Sequence, residues 1–425
     1  MIGMAIIADD LTGACDAGIK LKKLGCSVTV AVNGRQCGGL KGDEAPTIAV
    51  NTNTRSVTPE QSETIVADVL SSLQRAGVRH FYKKIDSVLR GNIGREIDAC
   101  LKQLPAEFAL VAPAFLETGR TLQGGILRID VCGDSPKYVD AMEAVCATTQ
   151  RSCAMIPIST VKRGAQAVAG QIGQKVREGA TILLADTCEE SDFQVIAQAA
   201  AHFGPRCLPV GSAGWIPYLQ QIWPDSCERA DEAVKSIGKL AESDHVLVAI
   251  GSRHPATIDQ VQALKQSPEF TCYRISTKNL EDGAMEEQVQ QLTDQIEADV
   301  RQGCIRRGVL ITTDRIFDGS KSGTAALFYQ DAVNGSIAAA IAVLVERLQQ
   351  LLPVGGLIVS GGDVANGVLE QLGVGFIELE DEPIRGVAAG RITGERSYLL
   401  ATKSGGFGSP DALLQLYRYM CDRKG

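Results

Sequence analysis

The sequence predicts an α/β protein of two domains, each a mainly parallel sheet flanked by helices. Three observations point there. At 425 residues the chain is long for one compact domain. Short β-branched runs alternate with longer amphipathic stretches, the strand-helix-strand pattern of parallel sheets. From Trp223 to Ser243 this pattern weakens into a polar, charge-rich stretch before a fresh apolar run begins at His245. The domain boundary is set there, giving residues 1–235 and 236–425 with a binding cleft between them.

The elements follow in order. Met4 to Ala8 reads as a strand and Leu11 to Leu24 as its helix, with strands at Ser27 to Val32 and Thr47 to Asn51. Thr58 then caps a helix, because Pro59 suits the first helical position and Gln61 completes a capping box. Further strands are expected at His80 to Lys84, Phe108 to Ala112, Thr181 to Asp186 and Cys207 to Val210. The second half offers strands at Val246 to Ile250, Val309 to Thr312 and Leu357 to Val359. Its helices are expected at Ala256 to Leu264, Met285 to Arg301 and Gly335 to Leu352.

Composition narrows the function. Hydrophobic residues make up 45% and charged residues 22%, as in ordinary globular proteins. A net charge of -8 gives no general attraction for nucleic acid, while leaving room for a locally basic pocket. The apolar start, Met1 to Ala8, ends at Asp9 and Asp10 and is too short for a signal peptide or a membrane span. Thirteen scattered cysteines with no Cys-x-x-Cys pair read as free thiols in a reducing cytoplasm. The four histidines lie too far apart for a tetrahedral metal site.

Candidate ligand contacts gather where strands end, the edge at which open α/β sheets bind ligands. Asp9 and Asp10 stand at the first such exit. One of them suffices as a helix cap, so the other is available to orient a hydroxyl or take its proton. Arg55 follows the strand ending at Asn51 and suits a carboxylate in two-pronged geometry. The densest address is Lys83-Lys84-Ile85-Asp86-Ser87-Val88-Leu89-Arg90-Gly91-Asn92. There Lys84 and Arg90 suit a carboxylate, and Asp86 and Ser87 suit hydroxyls. Pro113 to Thr121 and Gly211 to Gly214 follow strands too, and serve equally well as cleft walls or as packing turns.

In the second half, two apolar strands run into small-residue turns, Gly251-Ser252 and Ser360-Gly361-Gly362-Asp363. Backbone N–H groups aimed by a following helix make natural phosphate sites. Lys403-Ser404-Gly405-Gly406-Phe407-Gly408 adds a lysine and more such groups. No Walker loop or dinucleotide fingerprint is present, so nucleotide binding would use a less common architecture.

Together, Ile7-Ala8-Asp9-Asp10-Leu11-Thr12-Gly13, Lys84 to Asn92, Ser360 to Asp363 and Lys403 to Gly408 resemble the four-carbon acid-sugar kinase family. The likeness runs through both halves in order. It implies a cytoplasmic enzyme whose first domain binds D-threonate, D-erythronate or a 3-oxo-tetronate and whose second binds ATP with its Mg2+. The γ-phosphoryl would pass to a terminal hydroxyl. The resemblance carries over Asp9, Arg55, Lys84, Ile85, Asp86 and Ser87 as substrate contacts, joined by Arg90 from the residue reading. It carries over Ser252, Ser360, Gly361, Gly362, Asp363 and Gly405 as ATP contacts, joined by Lys403. Asp9 and Asp86 are the candidate catalytic bases. A homodimer is compatible with this reading. Departures such as Val88, Leu116, Thr118, Trp215 and His254 keep a branched acid such as 3-oxo-isoapionate in view. The N-terminal turns alone would also suit a sugar-acid dehydrogenase, an isomerase or a ligand sensor.

Overall fold

A computed structural model describes residues 3–40, 47–130, 135–226, 244–281, 284–319, 331–392 and 397–422. The chain divides into two compact units, Met1–Asp231 and Glu232–Gly425. Of the polar stretch read as the boundary, residues 227–243 lie outside the described residues.

Eleven described strands belong to the N-terminal unit: β1 Met4–Ala8, β2 Val28–Ala31, β3 Thr47–Asn51, β4 His80–Lys84, β5 Phe108–Ala112, β6 Arg120–Gln123, β7 Ile126–Ile129, β8 Lys137–Asp140, β9 Cys153–Ile156, β10 Ile182–Ala185 and β11 Cys207–Gly211. Eight of them form one parallel sheet in the order β2-β3-β1-β4-β11-β5-β10-β9. Every residue of β1, β3 and β5 is buried, as expected of parallel strands covered on both faces. The chain leaves β1 for β2, returns through β3 to one side of β1, then crosses to β4 on the other. This reversal opens a crevice at the C-terminal end of β1.

The seven described strands of the C-terminal unit are β12 His245–Ile250, β13 Phe270–Ile275, β14 Gly308–Thr313, β15 Val354–Ser360, β16 Phe376–Ile384, β17 Val387–Ile392 and β18 Tyr398–Lys403. Their order is β13-β14-β12-β15-β18-β17-β16, parallel from β13 to β18 and antiparallel through β17 and β16. Here β12 occupies the place that β1 holds in the first unit, with β14 and β15 on either side.

Local chemistry explains the boundaries. The helix Leu11–Lys23 starts where the Asp10 carboxylate accepts from the Gly13 N–H, and it ends on Lys20, Lys22 and Lys23, cations that suit the negative end of its dipole. The helix Pro59–Arg75 shows the capping box read from Thr58 and Gln61.

Two expectations need correction. The antiparallel sheet β6-β7-β8 was not foreseen, although the Gly124-Gly125 link, with φ of 62° and 79°, is a strong hairpin signal. Its strands are only four residues long, too short to stand out by alternation. Nor are all the cysteines free: Cys146 and Cys153 form a disulfide, because the short helix Ala141–Cys146 and β9 are brought side by side by the turn between them.

Asp186, fully buried just past β10, anchors this small sheet. Its carboxylate accepts from the N–H groups of Gly124 (2.8 Å), Gly125 (3.1 Å) and Ile158 (2.9 Å). Leu122 and Thr187 add a reciprocal pair of backbone hydrogen bonds, 2.8 Å each. Replacing Asp186 with Ala strands those donors, and charge-assisted hydrogen bonds of this kind are worth about 2 kcal/mol apiece. We expect Asp186→Ala to lower the stability of the N-terminal unit by at least about 2 kcal/mol. Urea unfolding followed by tryptophan fluorescence reports this unit alone, since both tryptophans, Trp215 and Trp223, lie in it.

Candidate active site

The three loops at the C-terminal ends of β1, β3 and β4 are tied into one piece. Thr54 donates its backbone N–H to the Asp9 carbonyl (3.0 Å), and the Asn92 amide donates to the carbonyls of Thr54 (3.1 Å) and Val57 (2.8 Å). Inside this frame the Arg55 guanidinium lies among three carboxylates. Nε donates to Asp9 Oδ2 (2.8 Å), Nη1 to Asp10 Oδ2 (2.8 Å), and Nη2 lies 3.5 Å from Asp86 Oδ1. Arg90 grips Asp86 from the other side with two side-chain hydrogen bonds, 2.8 and 3.0 Å.

The electrostatics follow from this packing. Burial opposes the ionisation of Asp10, but Arg55, Lys84 and the Thr12 hydroxyl outweigh it and hold the carboxyl below its usual range. Burial likewise opposes Asp86, and Arg55 and Arg90 hold it well below that range. Burial would favour loss of the Arg55 proton, and its three carboxylates bind that proton more firmly still. Asp10 proves to be the helix cap, accepting from Gly13 N–H and Thr12 Oγ1. Asp9 is different: its Oδ1 is buried and has no hydrogen-bond partner.

The adjacent lysines of β4 point to opposite faces, as strand geometry requires. Lys84 is buried, donates to the Ile85 carbonyl (2.9 Å) and acts electrostatically on Asp10 and Asp86. Lys83 pairs with Glu96 (2.6 Å) and also donates to the carbonyls of Ile7 (3.2 Å) and Lys84 (2.9 Å), bracing the ends of β1 and β4. Burial first, and then the nearby Asp9 charge, push the Glu96 carboxyl up against the pull of Lys83. Ile85 is buried, and Ser87 is half-buried in the same turn.

In the C-terminal unit, the ends of β12, β15 and β18 meet in the same way. Gly251 and Ser252 both donate backbone N–H groups to the Ser360 carbonyl (3.1 and 3.3 Å), and Gly361 N–H donates to the Lys403 carbonyl (3.3 Å). Gly361 takes φ 108°, a conformation open to glycine, and a Cβ on Gly405 would sit 2.0 Å from Ser252 Oγ. Ser360 Oγ is buried without a hydrogen-bond partner. Gly362 and Asp363 open the helix Gly362–Gln371, with Asp363 exposed and acting electrostatically on Arg253.

The glycine loop after β18 is organised from beneath. Lys403 Nζ donates to the carbonyls of Ser404 (3.0 Å) and Gly405 (3.2 Å), and Thr257 Oγ1 also donates to Gly405 (2.7 Å). The Gln260 amide takes the carbonyls of Phe407, Gly408 and Ser409 (2.9, 3.1 and 3.0 Å). With these carbonyls satisfied from within, the backbone donors of the loop and the Ser360 hydroxyl are what remain for an anion. Lys403 is fully buried, and burial pushes its ammonium down to about 7. A groove of about 510 Å³ lined by Glu269, Arg306, Arg307 and Arg418 lies at the opposite, N-terminal edge of these strands, away from the glycine turns.

Two family models match the chain, one in each unit. A model described as a sugar-binding N-terminal domain matches residues 4–219, and one described as a nucleotide-binding C-terminal domain matches residues 247–413. This chain belongs to the four-carbon acid-sugar kinase family. Among relatives in that family, D-threonate kinase of Bordetella bronchiseptica is 29% identical, the alignment covering 99% of this chain and 98% of that protein. D-erythronate kinase of Heliobacterium modesticaldum is 28% identical over 99% and 97%, and 3-oxo-tetronate kinase of Methylobacterium radiotolerans is 28% identical over 96% and 97%. Two crystal structures share the fold. One is from Salmonella typhimurium LT2, with a TM-score of 0.75 at 21% identity over 98% of this chain and 99% of that one. The other is Haemophilus influenzae protein HI1011, with a TM-score of 0.67 at 21% identity over 98% and 100%.

Within the acid-sugar kinase chain, the sequence-selected residues fall into two groups. Asp9, Arg55, Lys84, Ile85, Asp86, Ser87 and Arg90 gather in the N-terminal unit. Ser252, Ser360, Gly361, Gly362, Asp363, Lys403 and Gly405 gather in the C-terminal unit. Sequence reading passed over Glu96, Thr257 and Gln260, each a helix residue with no local signal of its role.

Two predictions follow from the electrostatics. Arg55→Met leaves three buried carboxylates without their shared cation, so tryptophan-monitored urea unfolding should show a loss of about 3 to 5 kcal/mol at neutral pH. Asp10 and Asp86 have folded values below 3.8, so the stability they contribute is present above that pH and lost as pH falls through the depressed values. The gap between wild type and Arg55→Met should therefore narrow below pH 3.8. For Lys403 the unfolded chain holds the proton that the folded one gives up between about 7 and 10.5, so stability rises with pH across that window. Unfolding followed by circular dichroism should show wild type gaining on Lys403→Met from pH 7 to pH 10.5.

Proposed function

We infer that this chain is an ATP-dependent kinase that phosphorylates the terminal hydroxyl of a four-carbon acid sugar, of the D-threonate, D-erythronate or 3-oxo-tetronate class. The observation that carries the reading is Asp9. One of its carboxylate oxygens is clamped by Arg55, while the other is buried with no partner at the sheet's switch point. A fixed carboxylate with one free oxygen suits a hydroxyl group that must be aligned and deprotonated.

In this mechanism Asp9 Oδ1 accepts the hydroxyl proton as the hydroxyl oxygen bonds to the γ-phosphorus. The bond to the β,γ-bridging oxygen breaks, and ADP leaves. Asp86, both of whose oxygens are engaged by arginines, serves to orient rather than to take the proton. Lys84, Ile85, Ser87 and Arg90 complete the acceptor contacts, with Arg55 acting through Asp9 and Asp86. On the nucleotide side the groups that fit phosphate are the backbone N–H groups of Gly362, Asp363 and Gly405 and the hydroxyls of Ser252 and Ser360, with Gly361 shaping the turn and Lys403 holding the glycine loop from beneath. Mg2+ enters with ATP as part of the substrate, offsetting phosphate charge, and phosphoryl transfer is then mainly positioning and charge stabilisation. Use of ATP fits a cytoplasmic enzyme, and among the described residues no helix is long and apolar enough to cross a membrane.

The test is ADP release across D-threonate, D-erythronate, 3-oxo-tetronate and 3-oxo-isoapionate, with the phosphate position read by NMR. Turnover of a four-carbon acid is expected, and Asp9→Asn should lower kcat by about 100-fold or more with folding intact. ADP release from none of these acids would sink the kinase reading. Wild-type kcat in Asp9→Asn would remove Asp9 as the base.

A further inference from the structure

A four-carbon acid carries one negative charge, and the cations around Asp9 already balance the carboxylates there, so Lys84 and Arg90 can touch the substrate without supplying a surplus charge. Asp9, Asp10 and Asp86 are matched by Arg55, Lys84 and Arg90, three charges against three. Arg55 has each nitrogen facing a carboxylate, and Arg90 is bound side-on to Asp86. Adding a fourth carboxylate to this neutral cluster calls for a fourth cation.

We propose that Arg120 is that cation, the receptor for the carboxylate of the acid sugar and the residue that selects acids over neutral analogues. The proposal rests on the kinase reading above. Arg120 opens β6 beyond the C-terminal end of β5, on the same sheet edge as the Asp9 cluster. Its backbone is pinned by two hydrogen bonds with Phe115, from Phe115 N–H to its carbonyl (2.9 Å) and from its own N–H to Phe115 (3.1 Å). The hairpin that carries it is anchored in turn by Asp186.

The side chain is held but not spent. Nη1 donates to Thr118 Oγ1, while Nε is buried with no hydrogen-bond partner. Among the described residues no carboxylate forms an ion pair with it. Asp86, Arg90 and Asp16 all act on it electrostatically, which brings it to the edge of the cluster. An arginine whose Nη1 is taken still offers the edge formed by Nε and Nη2, the two parallel donors that match a carboxylate. A buried N–H without an acceptor is costly, and a substrate carboxylate would relieve it.

The experiment compares D-threonate with D-threonamide, its neutral amide, in wild type, Arg120→Gln and Arg120→Lys. Wild type should favour the acid strongly. In Arg120→Gln the KM for D-threonate should rise about 30- to 100-fold, the value of a lost charge-assisted pair. Its KM for ATP should stay unchanged, and the preference for acid over amide should collapse. Arg120→Lys keeps the charge without the two-pronged geometry, so it should recover only part of the affinity. If Arg120→Gln fails to fold, Arg120→Lys decides, and a wild-type KM for the acid in that variant overturns the proposal. An unchanged acid-to-amide ratio in Arg120→Gln overturns it too. If wild type releases no ADP with any acid sugar, the kinase reading itself has failed, and binding of D-threonate to wild type and Arg120→Gln by calorimetry still tests the receptor: equal affinity overturns it.

Discussion

The Arg55 guanidinium, set among Asp9, Asp10 and Asp86, is the interaction on which the N-terminal site depends. Three carboxylates this close and this buried would repel one another and resist ionisation unless a shared cation stood between them. Arginine meets the need because its planar fork can address three acceptors at once, which a lysine's compact charge cannot do with the same geometry. The clamp also leaves one difference between the acids. Both oxygens of Asp86 are occupied, Asp10 is spent on its helix, and only Asp9 keeps a free oxygen.

The C-terminal unit solves a related problem by other means. Its glycine loop leaves backbone N–H groups open, and the carbonyls of the same loop need partners elsewhere. Lys403, Thr257 and Gln260 supply them from beneath, reaching five carbonyls between Ser404 and Ser409. Among the described residues no carboxylate forms an ion pair with this buried lysine, and burial pushes its ammonium down to about 7. Glycine at 405 lets the loop come close enough to Ser252 for the arrangement to form.

Much of this was legible in the chain itself. The strands at Thr47–Asn51 and Phe108–Ala112 match the sequence reading to the residue, because a fully buried parallel strand is a short, mostly apolar run with sharp ends. The capping box at Thr58 was equally plain, since its partners lie three residues apart. The small sheet β6-β7-β8 was missed: its strands are four residues long, and one face stays exposed at Ile126 and Tyr138. The disulfide between Cys146 and Cys153 escaped a reading based on spacing motifs, because seven residues apart is no motif until a turn folds them together.

By itself the sequence determined the α/β class, the strand ends at which chemistry gathers, and the residue types found there, because those features arise from local periodicity and turn chemistry. Only the tertiary structure decided which charge faces which. Arg55 and Asp9 are 46 residues apart, and Arg120 stands on a hairpin whose anchor, Asp186, lies another 62 residues past Gly124. Lys83 and Lys84 are neighbours in the chain, yet one braces the strands against Glu96 while the other sits with Asp10 and Asp86. Ion pairing and desolvation depend on distance through space, and that distance does not exist until the sheet has brought the loops together.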